Sequence, residues 1–280
     1  MLFKISEKLH LSKKTLLLIP YFFISVLFII LPVVLIVVSA FSLVGGENFD
    51  SSEIIKEFNT WSIIGRSLWI GIVSALLCLI IGFPYAYFIS TSKSKVFQIY
   101  ALSLIISPMA IFTIARIYSI KGLFLAIFAT NPGSLNNEAF IILGLTYLNL
   151  PLMVMPLYSV FKDMPKNITE ASNDLGYNDF QTIFKVIIPY GTKAILSGLG
   201  MIFLASATTF VISAKLLPDG SQNKLIGDLI NSKINPGNKY DLSAGSVLVI
   251  VVSAIFVGIY SLILILPRVI FKFKKGAHYE

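Results

Sequence analysis

Residues 170–189 read Glu-Ala-Ser-Asn-Asp-Leu-Gly-Tyr-Asn-Asp-Phe-Gln-Thr-Ile-Phe-Lys-Val-Ile-Ile-Pro, a polar and charged stretch set between two strongly apolar ones. Just upstream, Phe161-Lys162-Asp163-Met164-Pro165 offers Asp163 as an N-cap and Pro165 for a first helical turn, so a short helix is expected to begin there. Ile168, Ala171 and Leu175 recur at helical spacing as a narrow apolar stripe, with Glu170 and Asp174 four apart on another face. Gly176 is expected to end that helix, because glycine enters the left-handed conformation of a C-terminal cap without a side-chain penalty. Asn178 and Gln181 then have the spacing of a capping box for a second helix, whose Phe180, Ile183, Phe184 and Ile187 form a stripe before Pro189. The expected unit is helix, glycine turn, helix.

On either side the chain is membrane material. The 280 residues are 56% hydrophobic and 13% charged, with mean hydropathy +0.85, whereas soluble domains carry about 25% charged residues. Six runs have the roughly 20 apolar residues that a helix needs to cross the hydrocarbon core, at roughly 16–40, 66–90, 97–120, 139–161, 193–214 and 245–267. The first is longer than the roughly 7–15 apolar residues of a cleavable signal and lacks a small-residue cleavage site, so it is expected to be retained. The fold class expected is all-α: a polytopic protein of six transmembrane helices, a single domain over 1–280 with an extramembrane segment at 162–192.

An even number of spans puts both ends on one side. That side would hold fourteen of the 22 Lys and Arg residues, among them Lys13, Lys93, Lys162, Lys185 and Lys274, and the other side eight. By the positive-inside rule both termini and the 162–192 segment are expected in the cytoplasm of a multi-pass cell-membrane protein. The net charge of +8 follows from that asymmetry and calls for no nucleic-acid partner; the partner implied is membrane lipid.

The lone Cys78 cannot form an intrachain disulfide, and with His10 and His278 at opposite ends it makes no metal site; it reads as a small packing residue. Pro84, Pro108, Pro151 and Pro156 fall inside spans and are expected to perturb them. Gly198, Gly200, Ala205, Ser206 and Ala207 in the fifth span permit close backbone approach, either within the chain or at a wall of a path or a subunit interface. Leu225-Ile226-Gly227-Asp228-Leu229-Ile230, in an otherwise polar loop, must bury its apolar side somewhere. A phosphate-binding glycine loop, a His/Cys cluster and a carboxylate pair inside the spans are all missing, so catalysis by this chain is not expected.

The order Glu170-Ala171-Ser172, three residues, Gly176, nine residues, Val186-Ile187-Ile188-Pro189 resembles the EAA signature of the permease subunits of ATP-binding-cassette (ABC) importers. That signature is Glu-Ala-Ala, three residues, Gly, nine residues, Ile-any-Leu-Pro. Ser172, Val186 and Ile188 depart from it mildly. Further likeness to the B-type permeases of spermidine/putrescine importers lies in 81–87 (IGFPYAY), 115–118 (ARIY), 150–158 (LPLMVMPLY) and 224–230 (KLIGDLI).

The resemblance implies a type I importer fold and a permease forming half of a translocation path, partnered by a C-type sister permease, two cytoplasmic ABC ATPase subunits that bind ATP and Mg, and an extracytoplasmic polyamine-binding protein. No cofactor is implied in this chain. It also implies that Glu170, Ala171 and Gly176, with neighbouring Ser172, Asp174 and Leu175, meet the ATPase. None of the six spans contains Asp or Glu, so a polycation would rely on aromatic faces, hydroxyls and carbonyls, or on acids from the sister subunit. Tyr85, Tyr87, Tyr118, Tyr147, Phe210 and Ser213 are the candidates for that path; packing or interfacial anchoring is the other reading of the aromatics. Arg116 either snorkels from the end of the third span or pairs within the path. A permease for another small solute, or an ion-coupled secondary transporter, are the alternative functions; the latter usually needs ionisable groups near the midplane or an inverted repeat, and neither is visible.

Overall fold

The computed structural model describes residues 18–41, 53–218, 225–234 and 237–276, and all their regular structure is helical. In chain order the helices are α1 (Pro20–Phe41), α2 (Glu53–Lys56), α3 (Phe58–Thr91), α4 (Lys95–Ile106), α5 (Thr113–Ile127), α6 (Glu138–Lys162), α7 (Lys166–Asp174), α8 (Asp179–Ala207), α9 (Ile212–Leu216), α10 (Ile226–Lys233) and α11 (Lys239–Gly276). The basic N-terminal residues, His10, His278, Lys224 and the acidic residues Glu47 and Asp50 fall outside the described residues.

The chain groups into two units, Met1–Lys56 with Lys233–Val251 and Glu57–Ser232 with Val252–Glu280. In the first, α1 exposes apolar side chains around its whole circumference, as Phe22, Phe28, Val33 and Val38 illustrate. A helix apolar on all sides is suited to surroundings that are themselves apolar.

The second unit is built on α3, α6 and α8, and cross-helix contacts give its register. Arg66 pairs with Glu138 at 3.0 Å, Cys78 Sγ reaches the Thr146 carbonyl at 3.4 Å, and Phe83 and Tyr87 set ring edges on Phe161. Residue numbers rise together, so α3 and α6 run parallel. Helix α8 runs the other way: Gly71 lies against Ala207, Gly82 and Gly198 both lie against Met153, and Gly191 lies against Phe161. A Cβ on Gly71 would sit 2.9 Å from that of Ala207, so this approach depends on glycine. Gly198, Gly200, Ser206 and Ala207 are buried within the unit, which favours intramolecular packing for them; Ala205 faces outward. Asn149 of α6 donates to Ser206 Oγ of α8 at 3.0 Å, a polar tie inside the helical layer.

Five helices are long and apolar enough to cross a membrane, and a bent pair makes six if counted as one span. That pair corrects the expected third span. Lys95–Ala110 and Thr113–Ile127 meet at 104°, because Pro108 tightens Ser107–Ala110 into a 3₁₀ turn and Ile111 and Phe112 are extended. The 16 residues of the first arm rise about 24 Å, and the second arm turns aside. By contrast α3 continues through Pro84, and α6 through Pro151 and Pro156.

The fifth span is also displaced. The expected 193–214 run ends as a helix at Ala207, and its start lies far upstream at Asp179. The second helix of the polar segment does not stop before Pro189 but passes through a π-helical turn, Ile183–Ile187, into the apolar helix. Widening the turn ahead of proline accommodates its ring and its missing N–H without breaking the rod.

Candidate functional site

The polar segment at the α6–α8 junction is held by local bonds. Asp163, expected to cap α7, instead ends α6, and Pro165 occupies the N-cap of α7 without a side-chain bond. The reason is length: α6 keeps its hydrogen bonding to Lys162, and the Asp163 N–H still donates to the Ser159 carbonyl at 3.3 Å. Helix α7 ends as expected. Gly176 has φ +78°, its N–H donates to Asn173 at 2.9 Å, and the Tyr177 N–H donates to Ser172 at 3.2 Å. Those two bonds make a Schellman cap. The capping box of the following helix is also formed: Gln181 N–H donates to Asn178 Oδ1 at 2.8 Å and Asn178 N–H to Gln181 Oε1 at 3.2 Å. Lys185 Nζ stands 4.6 Å from the centre of the Tyr177 ring, closing the turn by cation–π attraction.

The apolar stripes are only partly turned inward, Ile187 being fully buried and Ile183 half-buried. Leu175 is 73% exposed, Phe180 75% and Phe184 65%, and Ala171 is exposed beside them. Ile168 is half-buried, whereas the buried residue of α7 is Ser172, whose hydroxyl lies 2.8 Å from that of buried Thr182. Glu170 and Asp174 are exposed. The segment therefore presents a surface of mixed apolar and acidic character on a locally rigid support, the composition of a protein-docking face. Thr182 was missed by sequence reading; the signal was there in the departure of Ser172 from alanine, which calls for a polar partner if the position is buried.

The opposite end of the second unit is built from pieces far apart in sequence. After Ala207 the chain leaves helical geometry, and α9 follows at Ile212. Lys121 of α5 donates to the carbonyls of Lys215 and Leu217 at 3.2 and 2.8 Å, satisfying the end of α9. Helix α10 covers the break. Leu225, Ile226 and Gly227 are buried, the Ile226 N–H donates to Ser67 Oγ at 2.8 Å, and Gly227 lies on the Thr208 and Thr209 carbonyls. Asp228 Oδ2 accepts from the Ser213 hydroxyl and from the Leu225 N–H at 3.1 Å. The 225–230 run thus buries its apolar side beside a cluster that includes Ile70, Ile117, Ile141, Leu145 and Leu216.

The six candidate path residues do not converge. Tyr85 donates to the Ala101 carbonyl at 2.7 Å, tying α3 to α4, and Tyr87 packs on Phe161, both near the α6–α8 junction. Tyr147 lines a cavity of about 350 Å³ with Ser119, Ile120, Leu123, Phe124 and Leu143. Tyr118 is 50% exposed on α5 and Phe210 52% exposed in the helix break. Ser213 is fully buried and committed to Asp228. Arg116 donates to Thr113 Oγ1 at 3.2 Å, at the start of α5 where the third span has already turned. Among the described residues no group of three or more His, Cys, Asp or Glu is placed to hold a metal ion.

Comparison with known proteins agrees with this architecture. Residues 79–272 match the family model described as binding-protein-dependent transport system inner membrane component. The chain is 30% identical over 277 residues to the spermidine/putrescine transport system permease protein PotB homolog of Mycoplasma genitalium, covering 94% of this chain and 95% of that one. It is 30% identical over 229 residues to PotB of Escherichia coli, covering 73% and 80%. Among solved structures, it is similar to a chain of a bacterial ABC transporter involved in the import of the acidic polysaccharide alginate, with TM-score 0.61, 17% identity, and coverage of 92% of this chain and 97% of that one. That last likeness concerns the fold.

Proposed function

This chain belongs to the family of binding-protein-dependent transport system inner membrane components and is a permease subunit of an ABC importer, and from that premise we propose that it imports polyamines of the spermidine/putrescine class. The observation that carries the substrate reading is the likeness to spermidine/putrescine permeases over nearly the full length of both chains. Importers of this kind work with ATPase and substrate-binding partners. In the finer reading those partners are a C-type sister permease, two cytoplasmic ATPases that hold ATP and Mg, and an extracytoplasmic polyamine-binding protein. The 1–280 chain then acts as one permease domain, both termini lie in the cytoplasm, and the 162–192 segment faces the ATPase.

In this reading α7 and the first turns of α8 dock into the ATPase through Glu170, Ala171, Asp174 and Leu175, with Gly176 setting the angle of the handle and Ser172 tying it from within. Exposed Leu175 supports it, since an apolar side chain outside a span needs a partner to cover it, and exposed Phe180 and Phe184 continue that surface onto the start of α8. Along the path, Tyr118, Tyr147 and Phe210 keep exposed ring surface that a cationic substrate can use. Tyr85, Tyr87 and Ser213 support the walls. The six apolar runs read from the sequence carry no carboxylate, so neutralisation of the cation inside the membrane falls to the sister subunit.

The deciding experiment is ATP hydrolysis by the reconstituted complex with binding protein loaded with spermidine, putrescine, a sugar or an oxyanion. Stimulation by the loaded polyamine forms is expected. Stimulation by the sugar or oxyanion form with none by either polyamine would reject the substrate assignment.

A further inference from the structure

The handle and the membrane-crossing rod share a buried polar contact. Helix α8 runs from Asp179 through the π-helical turn at Ile183–Ile187 to Ala207, 29 residues or about 43 Å, so its first turn and its apolar length belong to one element. Helix α7 is a separate piece. It meets α8 through the turn at Gly176, through packing beside the π-helical turn Ile183–Ile187, and through Ser172, the buried residue of α7, against Thr182, the buried residue of the first turn of α8. Their hydroxyls are 2.8 Å apart, at 3% and 6% exposure. The turn's own bonds, the Schellman cap and the capping box, fix each helix end but cross no distance between the helix bodies. Nothing lies within 4 Å of where a side chain on Gly176 would start, so no packing against the turn itself adds to the bonds that hold it.

We propose that the Ser172–Thr182 hydroxyl pair is the joint that fixes α7 to α8, so that a displacement of α7 by its partner moves the membrane-crossing helix rather than flexing the turn. The inference rests on the coupling role given to α7 above and adds to it the element that makes the handle stiff. Both are positioning residues: neither is exposed enough to meet a partner. A hydroxyl pair suits the task because each group satisfies the other where water is excluded, and its short reach and directionality penalise rotation of one helix against the other.

The test uses the full complex of permease, sister permease, ATPase and binding protein, and reads solute uptake per ATP hydrolysed together with the amount of ATPase bound. Thr182→Val keeps shape and removes the hydroxyl; Thr182→Ser keeps the hydroxyl and serves as the rescue. Uptake per ATP is expected to fall about fivefold in Thr182→Val and to stay within about twofold of wild type in Thr182→Ser, with ATPase binding unchanged in both. Ser172→Ala combined with Thr182→Val is expected to be no worse than the worse single change, because the two act as a unit.

Equal uptake per ATP in the Val and Ser variants would overturn the joint. So would losses that multiply in the double variant, or a loss that follows reduced ATPase binding. A wild-type permease that binds no ATPase would remove the coupling role itself, an outcome visible before any variant is compared.

Discussion

The two ends of the second unit are made differently. At the α6–α8 junction nearly every bond spans ten residues or fewer: Gly176 to Asn173, Tyr177 to Ser172, Gln181 to Asn178, Ser172 to Thr182. At the opposite end, besides the nearer bonds of Asp228, Lys121 is joined to Leu217 and Ile226 to Ser67, 96 and 159 residues apart. The first end is an exposed, locally stiff handle; the second is a closed assembly that depends on the whole unit having folded. A segment held by local bonds keeps its shape without help from the rest of the unit. The closed end holds only as long as its distant pieces stay packed.

The glycines of the two ends put that contrast to a direct test. At Gly227 an added Cβ would collide with the Thr209 carbonyl and come within 2.7 Å of the Thr208 carbonyl, and neither is a flexible side-chain end. Gly227→Ala is expected to give the largest effect, lowering stability by about 1–3 kcal/mol through forced backbone shifts. Thermal unfolding of the purified permease would show it. At Gly176 nothing lies within 4 Å of the added carbon, and the cost is the left-handed backbone at φ +78°, about 1–2 kcal/mol. Gly176→Ala should therefore lower the transition temperature less than Gly227→Ala and reduce uptake more than its stability loss accounts for. A Gly227→Ala protein as stable as wild type would break the comparison, because it would show the α10 contact to be dispensable.

The smallest expected stability effect sharpens the same contrast. Leu175 is 73% exposed on the handle, so Leu175→Ala is expected to change stability by no more than about 0.5 kcal/mol. It should nonetheless weaken pairing with the ATPase, measured by co-purification at rising detergent concentration. Full retention of ATPase would exclude Leu175 from the docking surface.

Local chemistry was legible in the residues themselves. The C-cap at Gly176 and the Asn178–Gln181 box are written in residues three or fewer apart, and the structure forms both. Membrane spans were legible from composition, since an apolar run long enough to cross must satisfy its backbone internally. Misreadings arose where a neighbour outweighed local preference. Asp163 is a good N-cap by type, yet the longer α6 takes it as its C-cap. Pro189 reads as a stop, yet a π-helical turn carries the helix through it. Pro108 reads as a kink, yet with extended Ile111 and Phe112 it turns the span by 104°.

The sequence by itself determined that this protein is helical, crosses a membrane several times and carries a capped polar segment between spans, because hydropathy, capping and glycine conformation act over one or two turns. Only the tertiary structure decided that Ser172 faces Thr182, that Leu175 points outward, that Ser213 is spent on Asp228, and that 225–230 seals the break after Ala207. Each depends on which buried hydroxyl, carboxylate or N–H finds a partner across the fold, and such pairings are set by packing between helices rather than by residue type along one of them.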